Sequence, residues 1–239
     1  PAARLRVHGP MSGRPRAAVR DGLGPPVTLR VVAGVAVLLL LLPLVGLVVR
    51  APWGDALALL SAPRVGTALR ISLGASLAAL ALSTILGVPL ALVLARSSAP
   101  WLRWVRALVL LPMVLPPVVG GVALLAAFGR RGLVGEPLDR FIGLTIPFSG
   151  VAVVIAATFV AMPFLVLAVE GGVRQLDGRL EEAAATLGAS RMTILRRVVL
   201  PELAPTLGAG MVLAWARALG EFGATITFAG NLLGRTQTP

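Results

Sequence analysis

The sequence predicts an all-α, polytopic membrane protein, and three observations carry that reading. Of 239 residues, 57% are hydrophobic and only 13% charged, with mean hydropathy +0.91, far above the apolar share of a soluble domain. The apolar residues gather into five runs of membrane-spanning length, separated by segments rich in Arg, Pro and Gly. The arginines lie almost entirely outside those runs, where a positive-inside bias places them.

Residues 1–30 are rich in Arg, Pro and Gly without hydrophobic period, as expected of a disordered tail. The chain opens on Pro1, and Met11 is its first methionine, so the true start is open. Residues 31–49, between Arg30 and Arg50, form a first span about 28 Å long at 1.5 Å per residue. A secretory signal has a shorter apolar region, so the helix is expected to be retained. Residues 51–70, with Pro52, Trp53, Gly54, Asp55 and Pro63, read as an external loop carrying an interfacial tryptophan. Residues 71–95 are the second span, with a kink expected at Pro89.

A basic turn follows at 96–106, with Trp101 and Trp104 at the interface, and then the third span, 107–128. Pro112, Pro116, Pro117, Gly120 and Gly121 interrupt it. A membrane tolerates such breakers only where protein or a water-lined path satisfies the freed carbonyls; a kinked packing helix and a pathway-lining segment both fit. An external loop at 129–145 precedes the fourth span, 146–169, which contains Pro163. A polar loop spans 170–205, the fifth span is 206–229, and 230–239 is polar. Residues 31–239 are thus expected to form one membrane domain behind the tail.

Composition excludes several function classes. Net charge +12 and pI ≈ 12.0 raise the question of nucleic acid, but the charge follows membrane topology rather than a binding patch, so no nucleic-acid partner is expected. With no Cys and His8 as the one histidine, Cys/His metal sites and thiol chemistry are ruled out, and no catalytic residue is assigned. The chain contains no lysine, and a Walker A loop requires Gly-Lys-Ser/Thr. No cofactor is expected on this chain; if ATP drives its work, ATP and Mg belong to another subunit.

The loop at 170–205 is the most polar, most helix-favouring segment beyond the tail. Asp177 is placed to cap a first short helix through Glu181, Glu182, Ala183 and Ala184. Gly188 suits a left-handed stop. After Ala189, Ser190 can cap a second helix, along which Ile194, Leu195, Val198 and Val199 recur at helical spacing. Leu200-Pro201 is expected to end it. A bent, amphipathic helix pair at a membrane surface has the form of a docking element, with an ordinary amphipathic connector as the alternative.

The pattern Glu182-Ala183-Ala184, then Gly188, then Leu200-Pro201 resembles the EAA loop of binding-protein-dependent ABC importer permeases; Val198 stands where that family usually has Ile. The resemblance implies a type I importer permease bundle, a cytoplasmic ABC ATPase subunit docked on this loop, an extracytoplasmic binding protein and a permease homodimer in the bilayer. That family usually has a further span after the one ending near Ala229, so the sequence is expected to lack a last span.

Arginine placement orients the chain. The tail, the 96–106 turn and the 170–205 loop share one side and hold most arginines; Arg50, Arg64, Arg70, Arg130, Arg131 and Arg140 are opposite. The rich side, with the N-terminus and docking loop, is expected to face the cytoplasm of a prokaryote, with the chain in its plasma (inner) membrane.

The fifth span carries Arg217 and Glu221 within an apolar run. A charge at the bilayer centre costs about 2.5–3.5 kcal/mol, and the four-residue spacing lets the two meet on one helix face. Gly220, Ala224 and Thr225 share that face; Trp215, Leu219, Phe222 and Ile226 take the other. Arg217, Gly220, Glu221, Gly223, Thr225 and Thr227 are candidates for a translocation path or gate, and a purely structural ion pair is the alternative. The string from Ala216 to Thr225, continuing to Gly230-Asn231 and Gly234-Arg235-Thr236, closely resembles molybdate permeases, while sulfate permeases diverge after Gly223. The resemblance implies oxyanion import, molybdate before sulfate, thiosulfate or tungstate. A secondary carrier or channel using the ion pair directly, without an ATPase, and a non-transporting scaffold are the readings of other classes.

Overall fold

The computed structural model describes residues 26–230 and Thr236. The expected tail therefore lies outside the described residues up to Pro25, as do Asn231, Gly234 and Arg235 of the string that continues from Ala216. Contacts divide the chain into two units, Pro1–Ala56 and Leu57–Pro239. In the first, α1 runs Val27–Arg50, starting inside the expected tail. A 3-10 turn follows at Trp53–Asp55, and the Trp53 indole N–H donates to the Val48 carbonyl at 2.7 Å.

The second unit is all helix among the described residues: α2 Ala56–Ser61, α3 Pro63–Arg96, α4 Leu102–Val114, α5 Pro117–Phe128, α6 Gly135–Ile142, α7 Gly150–Gln175, α8 Gly178–Thr186, α9 Arg191–Ile194, α10 Leu200–Leu219 and α11 Gly223–Phe228. Among the described residues, four helical stretches are long and apolar enough to cross a membrane: Val27–Arg50, Val65–Arg96, Gly150–Gln175 and Arg191–Leu219.

Several boundaries differ from the expected ones. The loop at 51–70 is largely helical, because Pro63 opens α3 rather than interrupting a loop. Ala62 before it is extended, and a missing N–H costs nothing in a first turn. α3 continues through Pro89 to Arg96. The third span is two helices, α4 and α5, parted where Leu115 and Pro116 are extended. α7 runs on to Gln175, so the polar loop is shorter than 170–205.

Pro201 does not end a helix. It lies in the first turn of α10, and the chain stays helical from Arg191 to Leu219. The join at Leu195–Val199 widens to a π-turn in which the Leu200 N–H reaches the Leu195 carbonyl. Proline cannot supply the N–H that the Arg197 carbonyl would take in an α-helix, and the wider turn accommodates its ring.

α7 is the centre of the bundle, packed between α3 and α10 and touched by α4 and α11. Leu94, Leu165, Val166, Val169 and Leu203 are fully buried there with Ala79, Ala91 and Ala214. Small residues let the backbones approach, as membrane helix packing requires: a Cβ at Gly210 would lie 2.9 Å from that of Ala168. A second cluster joins α5, α7 and α11 through Leu124, Val153, Ala156, Ala224 and Phe228, with the Phe128 and Phe228 rings 6.4 Å apart.

Candidate functional site

Two groups of candidate residues are separated by the length of α10, about 24 Å from Pro201 to Arg217. The first is the loop between α7 and α10. The Asp177 carboxylate accepts the Arg179 N–H at 3.1 Å and caps α8. The Ser190 hydroxyl accepts the Thr193 N–H at 3.2 Å and caps α9. Between them Gly188 stands at φ +82°. The Gly188 N–H reaches the Ala185 carbonyl at 3.0 Å and the Ala189 N–H the Ala184 carbonyl at 3.1 Å, the paired bonds of a Schellman stop. The caps at Asp177 and Ser190 and the left-handed stop at Gly188 are as expected, whereas the second helix runs on past Pro201 into α10.

The inner side of the corner is covered and the outer side is not. Val199 is buried and Ile194, Leu195 and Val198 are half-buried, whereas Leu180, Leu187 and Met192 are 54%, 88% and 55% exposed. A cleft of about 410 Å³ between α8 and α9 is lined by Arg96, Glu181, Glu182, Ala185, Arg191 and Ile194. Ala183 and Glu182 are exposed.

Charge ties this corner to the bundle through contacts that sequence reading missed. Arg96, at the end of α3, pairs with Glu181 at 2.8 Å. Glu170 in α7 is buried and its Oε1 accepts from Arg106 of α4 at 2.6 Å and from Arg174 at 2.9 Å. The Leu94 carbonyl of α3 also accepts from both arginines, at 3.1 and 3.4 Å. The carboxylate thus ties α4 to α7, and the two arginines it holds reach α3 through the Leu94 carbonyl. The four-residue spacing of Glu170 and Arg174 is the signal that marks it; Arg106 is far away in sequence and left none.

The second group lies where the fifth span breaks. α10 ends at Leu219 and α11 starts at Gly223, so the expected single span is two helices. Arg217 and Glu221 do pair, at 2.8 Å, with the Glu221 side chain fully buried and that of Arg217 29% exposed. Glu221 Oε1 accepts the Ala224 N–H at 2.7 Å; Oε2 meets Arg217 as an ion pair without hydrogen-bond alignment and has no other partner among the described residues. The carboxylate thus satisfies an orphan N–H of α11, and the cation sits in the last turn of α10, where the helix dipole favours it.

The two faces expected of this segment are largely present. Ala224 and Thr225 are buried while Leu219, Phe222 and Ile226 are exposed. Gly220 departs from expectation in being exposed. Trp215 is half-buried, and its indole N–H donates to the Ser76 hydroxyl at 3.1 Å. Thr227 donates its hydroxyl to the Gly223 carbonyl at 2.9 Å.

The interrupted spans meet. A Cβ at Gly223 would lie 2.6 Å from Pro117 Cβ, and one at Gly121 would lie 2.9 Å from the Ala224 carbonyl. The break before α5 and the break before α11 are therefore at one level, with Glu221 buried beside them. Non-helical backbone at membrane depth is tolerated only inside protein or along a cavity, and this chain stacks two such stretches together.

Apolar helices with paired breaks and a capped surface loop define a multi-pass membrane protein. The chain belongs to the family of binding-protein-dependent transport system inner membrane components, whose profile matches residues 87–238. It is 50% identical over 197 residues to the molybdenum transport system permease protein ModB of Mycobacterium tuberculosis, covering 82% of this chain and 74% of that protein. With ModB of Escherichia coli it shares 42% identity over 160 residues, 67% of this chain and 70% of that one. The sulfate transport system permease protein CysT of Salmonella typhimurium is 39% identical over 153 residues, 64% of this chain and 55% of its own length. In fold the chain is similar to a solved structure of the MetNI methionine ABC transporter in an inward-facing conformation, with TM-score 0.52 and 23% identity over 67% of this chain and 73% of that one.

Proposed function

We propose that this chain is the membrane-spanning permease subunit of an ATP-driven importer for molybdate. The observation that carries the reading is 50% identity over 82% of the chain to a permease named for molybdenum transport. In this reading the corner at 176–199 is the coupling element. Its uncovered Leu180, Leu187 and Met192 seat in a separate cytoplasmic ABC ATPase, with Glu182 exposed on the same corner. ATP and Mg act on that subunit. An extracytoplasmic oxyanion-binding protein delivers the anion to a permease homodimer, and the N-terminus and the corner both face the cytoplasm.

The paired breaks supply the path. A dianion in low dielectric needs positive charge or donors, and Arg217 provides the charge. Glu221 tempers it, so that the anion is passed on rather than held. Thr225, buried, and Thr227, half-buried, offer hydroxyls further along α11, Gly223 allows the close approach of α5, and Gly220 lies exposed at the break. Sulfate is the second reading, favoured by 39% identity to CysT. Assembly and uptake test the proposal together. The chain and a purified ABC ATPase should co-elute in micelles, and Glu182→Ala with Gly188→Val should separate them. Co-elution unchanged by both substitutions would remove the coupling assignment.

A further inference from the structure

Between α3 and α4 the chain turns through residues 97–101, and an open cavity of about 430 Å³ lies against that turn, lined by Arg96, Arg103, Arg106, Arg174, Ser97 and Ser98. The four positive charges are only half matched from within. Glu170 serves both Arg106 and Arg174, and Glu181 serves Arg96. Arg103 has no carboxylate partner among the described residues; its guanidinium carbon lies 5.9 Å from the centre of the Trp104 ring. The cavity is therefore built for an anion.

An apolar track leads away from it. Trp104, Leu108 and Leu111 recur at helical spacing along α4 and are 71%, 67% and 47% exposed, with Trp101 exposed at the head of the track. Exposed tryptophans mark the headgroup level of a bilayer, and basic pockets between membrane helices at that level suit anionic head groups. A free phosphate or an acidic protein segment uses the arginines and leaves the track idle. A ligand with an anionic head and an apolar tail uses both.

We infer that this cavity binds an anionic phospholipid, its phosphodiester among Arg96, Arg103, Arg106 and Arg174 and an acyl chain along Trp104, Leu108 and Leu111. The site is independent of which oxyanion is transported. Since Arg96 also holds Glu181, the headgroup and α8 share one guanidinium.

The test is native mass spectrometry of the full chain in micelles containing equal phosphatidylglycerol and phosphatidylcholine with matched acyl chains. Phosphatidylglycerol should be retained preferentially. Arg103→Gln should reduce that preference about fivefold, the share of one surface arginine. Leu108→Ser should reduce retention with every arginine intact, and Arg131→Gln at the opposite end should change nothing. Inorganic phosphate should not displace the lipid at concentrations where short-chain phosphatidylglycerol does. Equal retention of the two lipids, or no effect of either Arg103→Gln or Leu108→Ser, overturns the assignment. Displacement by phosphate makes the site a simple anion site, and loss of lipid on adding the ATPase makes it part of that interface; either also overturns it.

Discussion

A graded series at Gly188 tests the coupling corner most sharply. No atom lies within 4 Å of where a Cβ would stand, and φ is +82°. A side chain there meets no neighbour, so its cost is confined to the backbone. For an L-residue the left-handed region costs about 1–2 kcal/mol, with β-branched valine at the upper end and asparagine close to neutral. If the ATPase recognises the corner as folded, that cost appears as lost affinity, about thirtyfold for Gly188→Val. Gly188→Ala should fall between, and Gly188→Asn should bind nearly as the parent does. The corner is exposed and outside both buried clusters, so thermal melting of the bundle should not move. The assay is titration of purified ATPase onto each variant in micelles. Equal affinity for Val, Ala and Asn variants would refute the claim that this left-handed stop shapes the docking surface.

Three further outcomes follow from the geometry. Glu221→Gln keeps an acceptor for the Ala224 N–H while removing the charge beside Arg217, so assembly should persist and radiolabelled molybdate uptake fall at least about tenfold; normal uptake would leave the pair as packing. Glu170→Ala removes the carboxylate that holds Arg106 of α4 and Arg174 of α7 and should lower stability by about 2–3 kcal/mol, read as a lower melting temperature; an unchanged melt would deny the junction its structural role. Because the chain has no cysteine, single cysteines at Ser98 and Ser190 should be protected from an impermeant thiol reagent outside intact cells, while those at Ala62 and Leu133 should react. The reverse pattern would invert the proposed orientation.

What was legible in the sequence was local. Asp177, Gly188 and Ser190 act on backbone groups within a few residues, so residue type and spacing suffice to place the corner. Arg217 and Glu221 were found for the same reason. Proline was harder: Pro63 opens a helix, Pro201 follows a π-turn inside a continuous one and Pro116 lies between two, and a lone sequence does not distinguish these from a stop. The break after Leu219 was missed because the apolar run continues across it. The meeting of Gly223 with Pro117 and of Glu170 with Arg106 depends on which helices become neighbours, and nothing within either segment encodes that.

Reconstitution tests the central claim most directly. The full chain should be placed in proteoliposomes with an ABC ATPase, ATP on the ATPase side and a molybdate-loaded binding protein on the other. ATP-dependent accumulation of radiolabelled molybdate is expected, with less accumulation when sulfate and a sulfate-binding protein are supplied instead. Molybdate accumulation that persists without the ATPase, or transport of sulfate but not molybdate, would contradict the account.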